Sequence, residues 1–145
     1  MPNSFLSVYD LEASDSTKWQ LTADVCREIA TLFEAASVPV VFVLLPAQVQ
    51  LKDAYWDSFV DAYELDRRRF SPTQPNEQLG RVFRTAGLSL LDPIEDLKRV
   101  SKEQRLYGRV DPHLNWYGNR VVARFLQERL KPMLCYPQVH DSAGF

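Results

Sequence analysis

Residues 40–45, Val-Val-Phe-Val-Leu-Leu, are apolar at every position and rich in β-branched side chains, with Pro39 before them and Pro46 after. A strand with one wet face alternates polar and apolar residues. An unbroken apolar run of this length has to be covered on both faces, as in a parallel sheet packed by helices. Such a strand belongs between neighbours and not at an edge. The wider run, residues 38–47, is only about half of the roughly 20 residues a membrane-spanning helix needs, and two prolines interrupt it. No membrane span is expected.

Helical periodicity surrounds this strand. Over residues 15–36, Leu21, Val25, Ile29, Leu32, Phe33 and Ala36 recur at spacings of three and four, while Lys18, Asp24, Arg27, Glu28 and Glu34 take the other faces. Asp15, Ser16 and Thr17 offer N-cap oxygens, and Pro39 forbids continuation. Trp56, Phe59, Val60 and Tyr63 form a second stripe. Leu79, Val82, Phe83 and Ala86 form a third, with Pro75 placed as a first-turn proline and Gly87 as a left-handed cap. Residues 88–91 read as a short second strand stopped by Asp92-Pro93, and residues 94–104 as a charged helical segment leading to a turn at Gly108. The last helix starts after Asn115, carries Val122, Leu126 and Leu130, and is expected to stop at Pro132. Residues 136–145 show no periodicity and are expected to be a mobile tail.

Helices alternating with strands predict an α/β layer fold with right-handed crossovers. Strands are scarce: two, with residues 4–9 a third candidate, where open α/β sheets carry about four to six. Residues 1–135 therefore read as the second half of a larger sheet, an incomplete three-layer α/β/α domain. The rest of the composition narrows the function class. A net charge of −2 over 145 residues argues against a nucleic-acid partner. Cys26 and Cys135 are too few for a disulfide framework and match no zinc spacing. The first residues, Met-Pro-Asn-Ser-Phe-Leu, have neither the positive start nor the apolar stretch of a secretory signal, so a soluble chain is expected and its compartment stays open.

One stretch carries chemistry: Val110-Asp111-Pro112-His113-Leu114-Asn115-Trp116-Tyr117-Gly118-Asn119-Arg120-Val121-Val122-Ala123. A carboxylate and an imidazole lie two residues apart in a loop directly before a helix that Asn115 can cap. Pro112 restricts the backbone between them. A carboxylate held against an imidazole fixes its tautomer and stabilises the imidazolium, which makes His113 a competent general base. An isolated Asp-x-His more often caps a turn.

In its wider context the block resembles the last signature block of the SGNH (GDSL-type) hydrolases, and the strand at residues 40–45 resembles the penultimate sheet strand of that superfamily. The resemblance implies an SGNH/flavodoxin-like sandwich and ester hydrolysis or acyl transfer through a Ser-Asp-His triad. In it His113 would be the base and Asp111 the residue that orients it. Small esters or acylated carbohydrates would be the substrates, and no cofactor is implied. One residue separates Asp from His here, whereas the commoner pattern has two; branches near the alginate O-acetyltransferases use the shorter spacing. The Gly-Asp-Ser block, the second-block Gly and the Gly-x-Asn-Asp block are absent: Ser4, Ser7, Ser14 and Ser16 have no such flanks, and neither does Asn3. Without its nucleophile a triad loses essentially all covalent catalysis. The expectation is thus the C-terminal half of an SGNH-like domain, inactive alone. It is either part of a larger enzyme or a free-standing binding or assembly module. Its open sheet edge would be met by self-association or by an N-terminal half.

Other residues have weaker functional readings. Gln48, Gln50 and Tyr55 follow the strand and are candidate substrate contacts, since ligands gather beyond the carboxyl ends of parallel strands. Trp56 is assigned to the core. Arg67, Arg68 and Arg69 read as a solvated helix end beside Asp61, Glu64 and Asp66. Cys26 reads as an inert thiol. A metal site on Asp111, His113 and His140 lacks the fourth ligand a closed zinc site wants.

Overall fold

The N–H groups of Phe42 and Leu44 donate to the carbonyls of Ser89 and Leu91, each at 2.9 Å, and set β1 (Phe42–Val43) parallel to β2 (Leu90–Leu91). These two strands form the sheet of the computed structural model, which describes residues 5–13 and 17–134. Around them lie α1 (Thr17–Glu34), α2 (Asp53–Ala62), α3 (Gln74–Thr85), α4 (Ile94–Ser101) and α5 (Trp116–Leu134). The architecture is a partial α/β fold with a short parallel sheet, mostly helical by residue count.

Local chemistry explains the boundaries. Pro75 occupies the first turn of α3, where a missing N–H leaves no bond unmade. At its other end Gly87 takes φ +71°. The Leu88 N–H then reaches back to Phe83 O at 2.9 Å and the Gly87 N–H to Arg84 O at 3.2 Å, the paired closure of a Schellman cap. The Phe83 ring packs edge-on against Phe42, 5.5 Å between centroids, and joins α3 to the sheet. Asp92 accepts the Ile94 N–H and the Asn76 side chain, starting α4 directly after β2.

The main core lies past the carboxyl ends of the strands. Leu51, Ile94, Leu97, Leu106 and Tyr107 are buried together, with Val100, Leu114, Val121 and Val122 against them. A second cluster is aromatic: Tyr9 sits 5.4 Å from Trp56 and 5.6 Å from Phe59, and Trp56 stacks on Phe59. It holds the N-terminal segment on α2.

Several expectations change. Residues 6–8 form a 3-10 turn and not a strand, because Tyr9 N–H closes onto Leu6 O and Lys18 Nζ takes Ser7 O. Arg69 is no solvated helix end. It grips the buried Asp10 with two bonds, 2.9 and 2.7 Å, and holds its carboxyl below the usual range. Arg67 pairs with Asp57 and Asp61. α5 runs through Pro132, which lies in its last turn and so disturbs little helix. The largest correction concerns α1 and β1. α1 buries Trp19, Ala23 and Ala30 and packs on α3, while Leu21, Val25, Ile29, Leu32 and Phe33 face solvent, Leu21 at 61 %. β1 is likewise uncovered on one side, with Val43 38 % and Leu45 51 % exposed. Both were expected inside; among the described residues no further strand is there to cover them. The expected cap residues Asp15 and Ser16, the serines Ser4 and Ser14, and Asn3, Cys135, His140, Asp141 and the tail lie outside the described residues. Among the described residues no helix is long and apolar enough to cross a membrane.

Candidate active site

The loop between α4 and α5 is closed by short-range chemistry. Leu106 and Tyr107 are core residues, and the Tyr107 hydroxyl donates to the Pro46 carbonyl. That bond fastens the loop to the carboxyl end of β1, and burial pushes the phenol up to about 12, so it remains a donor throughout the physiological range. Gly108 N–H donates to His113 O at 3.0 Å and Asn115 N–H to Leu106 O at 2.9 Å, turning residues 108–113 into a hairpin-like excursion. Asn115 then caps α5, its Oδ1 accepting the Gly118 N–H at 3.1 Å while its Nδ2 donates to Arg105 O.

Two glycines, Gly108 just before the block and Gly118 within it, are steric necessities. A Cβ on Gly108 would lie 2.6 Å from Asp111 O. One on Gly118 would run into the Leu106 carbonyl oxygen and sit 2.7 Å from a Leu114 methyl. Since α5 must approach the loop backbone there, Gly118→Ala is expected to cost about 1–3 kcal/mol from overpacking. A gain in helix propensity of up to about 1 kcal/mol offsets this only in part. Urea denaturation measures it, and a stabilised variant would refute the close approach.

Asp111 and His113 meet across this turn. Asp111 Oδ1 accepts the His113 backbone N–H at 3.0 Å and also the ring Nδ1–H. Those two hydrogen bonds hold the Asp111 carboxyl below the usual carboxylate range, the ring bond contributing most. With Nδ1 carrying the proton, the lone pair is on Nε2, which has no hydrogen-bond partner among the described residues. The dyad is open to water: the His113 side chain is 85 % exposed and that of Asp111 66 %. No serine hydroxyl among the described residues hydrogen-bonds His113, and Ser7 Oγ accepts from Lys18 Nζ.

The remaining candidates divide. Gln50 is buried, and its carboxamide is spent on the fold: Oε1 accepts Ala47 N–H, and Nε2 donates to Pro72 O and Asn76 Oδ1. Gln48 is half-buried in the 3-10 turn Gln48–Gln50, and the Tyr55 ring lies under Lys52 Nζ at 5.5 Å. Among the described residues no hydrogen bond or ring contact joins either of them to Asp111 or His113. Trp56 is a packing residue, as expected. Cys26 is half-buried and burial raises its pKa, which fits an unreactive thiol. The reading of the sequence missed the first turn of α5. There Trp116, 63 % exposed, packs edge-on against Tyr117 at 4.8 Å, with the Arg120 guanidinium 5.4 Å from the Trp116 ring. Two adjacent aromatics following a cap residue were the available signal, because only one of the two can face the core of a helix.

No family model matches the sequence, and no curated protein matches it. Among solved structures, the O-acetyltransferase domain of Pseudomonas putida AlgJ resembles this one with a TM-score of 0.66 at 16% identity, over 88% of this chain and 43% of that chain. This chain therefore spans less than half the length of the structure it matches, and what the likeness shows is a shared partial α/β fold.

Proposed function

We propose that this chain carries the Asp–His part of an SGNH-type acyl-transfer centre, acting on an ester or an O-acylated carbohydrate, with the nucleophilic serine supplied from outside these 145 residues. The observation that carries this reading is the Asp111–His113 hydrogen bond: the carboxylate can only accept, so the proton sits on Nδ1 and the lone pair on Nε2. In the reaction Nε2 takes the serine proton as the oxygen attacks the acyl carbon, then returns it to the departing alcohol. In the second half it takes a proton from the acceptor hydroxyl as that oxygen attacks the acyl carbon, and delivers it to the serine oxygen as the acyl–serine bond breaks. Asp111 stabilises the imidazolium at each half. The solved neighbour is an O-acetyltransferase domain, which favours a hydroxyl acceptor over water. Gln48 and Tyr55 are proposed as contacts to the acyl donor.

A second reading is a non-catalytic binding or assembly module in which Asp111 only shapes the turn. The high exposure of both side chains favours it. Turnover of p-nitrophenyl acetate separates the two. The chain alone should hydrolyse the ester no faster than its His113→Ala variant. Addition of the serine-bearing segment should produce His113-dependent turnover, with acetyl found on carbohydrate if transfer is the reaction and as free acetate if hydrolysis is. Turnover by the chain alone that vanishes in His113→Ala would reveal a nucleophile within it. No His113-dependent turnover in either case would leave the module reading.

A further inference from the structure

Three of the chain's five lysines converge on one cavity. Lys52 comes from the segment after β1, while Lys98 lies in α4 and Lys102 directly after it. The cavity encloses about 440 Å³, within the range of small-molecule sites. Trp56 and Pro72 give it an apolar wall, and Asp53 is the one acid among its described lining residues. Three lysines against one aspartate leave a formal charge of +2 there, in a chain whose net charge is −2.

Helix electrostatics account for only part of this. Lys98 and Lys102 stand at the C-terminal end of α4, where the helix dipole favours cations, although at a spacing of four they repel each other. Lys52 has no such reason. It is the N-cap of α2, where the dipole disfavours a cation, and its side chain supplies no capping oxygen. The Asp53 and Ala54 N–H groups have no acceptor among the described residues. Carboxylates do not absorb the lysines either. Lys98 reaches Glu95 at 3.1 Å, an exposed pair of small worth. Lys52 Nζ rests over the Tyr55 ring at 5.5 Å, and the Lys102 ammonium makes no ion pair or hydrogen bond among the described residues.

We propose that this cavity binds an organic phosphate, its oxygens held by Lys52, Lys98, Lys102 and the first N–H groups of α2, with an apolar or aromatic remainder against Trp56. A phosphate monoester carries close to two negative charges at neutral pH and three acceptor oxygens, which matches both the excess charge and the unused donors. One carboxylate would leave a positive charge unmatched. Lysine binds phosphate as a point charge and needs no fixed fork geometry. Trp56 is stacked on Phe59 and braced by Tyr9, so it offers the remainder a rigid surface. Nucleoside phosphates belong to this class. No lining residue belongs to the Asp111–His113 turn, so the site is independent of whether acyl transfer is the reaction.

Calorimetric titration of the full chain with ADP at low salt tests the site. One saturable site is expected, and added salt should weaken it. Lys102→Gln should weaken binding about 10-fold, and adding Lys52→Gln about 10-fold again, the effect of removing one charge-assisted bond at each step. Lys131→Gln, outside the cavity, should leave the affinity unchanged. These lysine side chains all reach water, so urea midpoints should match the parent. In an NMR titration the Asp53 and Ala54 amides should shift with ADP. Absence of ADP binding would overturn the proposal, as would shifts that leave both amides unmoved. So would an equal loss in Lys131→Gln, or adenosine or citrate binding as tightly as ADP.

Discussion

Leu97→Ala is expected to remove about 2–5 kcal/mol of stability, the range for deleting a fully buried leucine and leaving a cavity. Leu97 has no exposed surface and is surrounded by Leu51, Ile94, Leu106 and Tyr107. Small domains have total stabilities of about 5–15 kcal/mol, so a loss of this size brings the chain close to unfolding. Its consequence is local as well as global. Leu106 and Tyr107 root the His113 loop in this cluster, so loss of the Leu97 side chain should loosen the loop before the aromatic cluster on α2 gives way. Leu21→Ala, a deletion of the same atoms from a 61 % exposed side chain, should fall within about 0.5 kcal/mol of the parent. Urea titration of both variants, with His113 ring resonances as the local probe, checks the pair. Equal losses would mean that the core is not where Leu97 places it.

The same contrast shows what the sequence could tell. Element identities were legible wherever the signal was local: Pro75 and Gly87 bracket α3, Asn115 caps α5, and Asp92-Pro93 stops β2. Such signals act over three or four residues and need no tertiary partner. The direction of a helix face is different. Leu21, Val25 and Ile29 declare a stripe, but whether that stripe or another face is buried depends on which distant segments pack on the helix. The buried face turned out to be the one with Trp19, Ala23 and Ala30. Long-range polar ties were equally hidden. Asp10 and Arg69 are 59 positions apart, and nothing near either residue announces a bidentate pair. Gln50 looked like a loop residue open to substrate, whereas three hydrogen bonds to segments before and after it fix it in the fold. For the candidate site, the Asp111–His113 pairing was readable because both groups belong to one short turn. The Tyr107–Pro46 tether, 61 positions across, was not.

On the acyl-transfer reading, His113→Ala should lower kcat of the serine-completed assembly by about 10⁴-fold or more, because the group proposed to move the proton in both half-reactions is gone. Asp111→Asn should cost less than that yet remain large, about 10²–10⁴-fold, since the amide can no longer stabilise the imidazolium and favours the wrong tautomer. The double variant should be no worse than His113→Ala alone, because the two residues act as one unit. A merely structural Asp111 would give the opposite pattern, with losses that follow stability and not turnover. Acid provides the independent check. The Asp111 carboxyl is held below its ordinary value by the bonds to His113, so its contribution to loop order is complete above about pH 4 and fades as pH falls through the lower folded value. The His113 backbone amide, which donates to Asp111 Oδ1, should thus show an acid step in its chemical shift only as pH falls into the strongly acid range. In Asp111→Ala that step should be missing. A step that survives in Asp111→Ala would show that another carboxylate holds the loop and would remove Asp111 from the dyad.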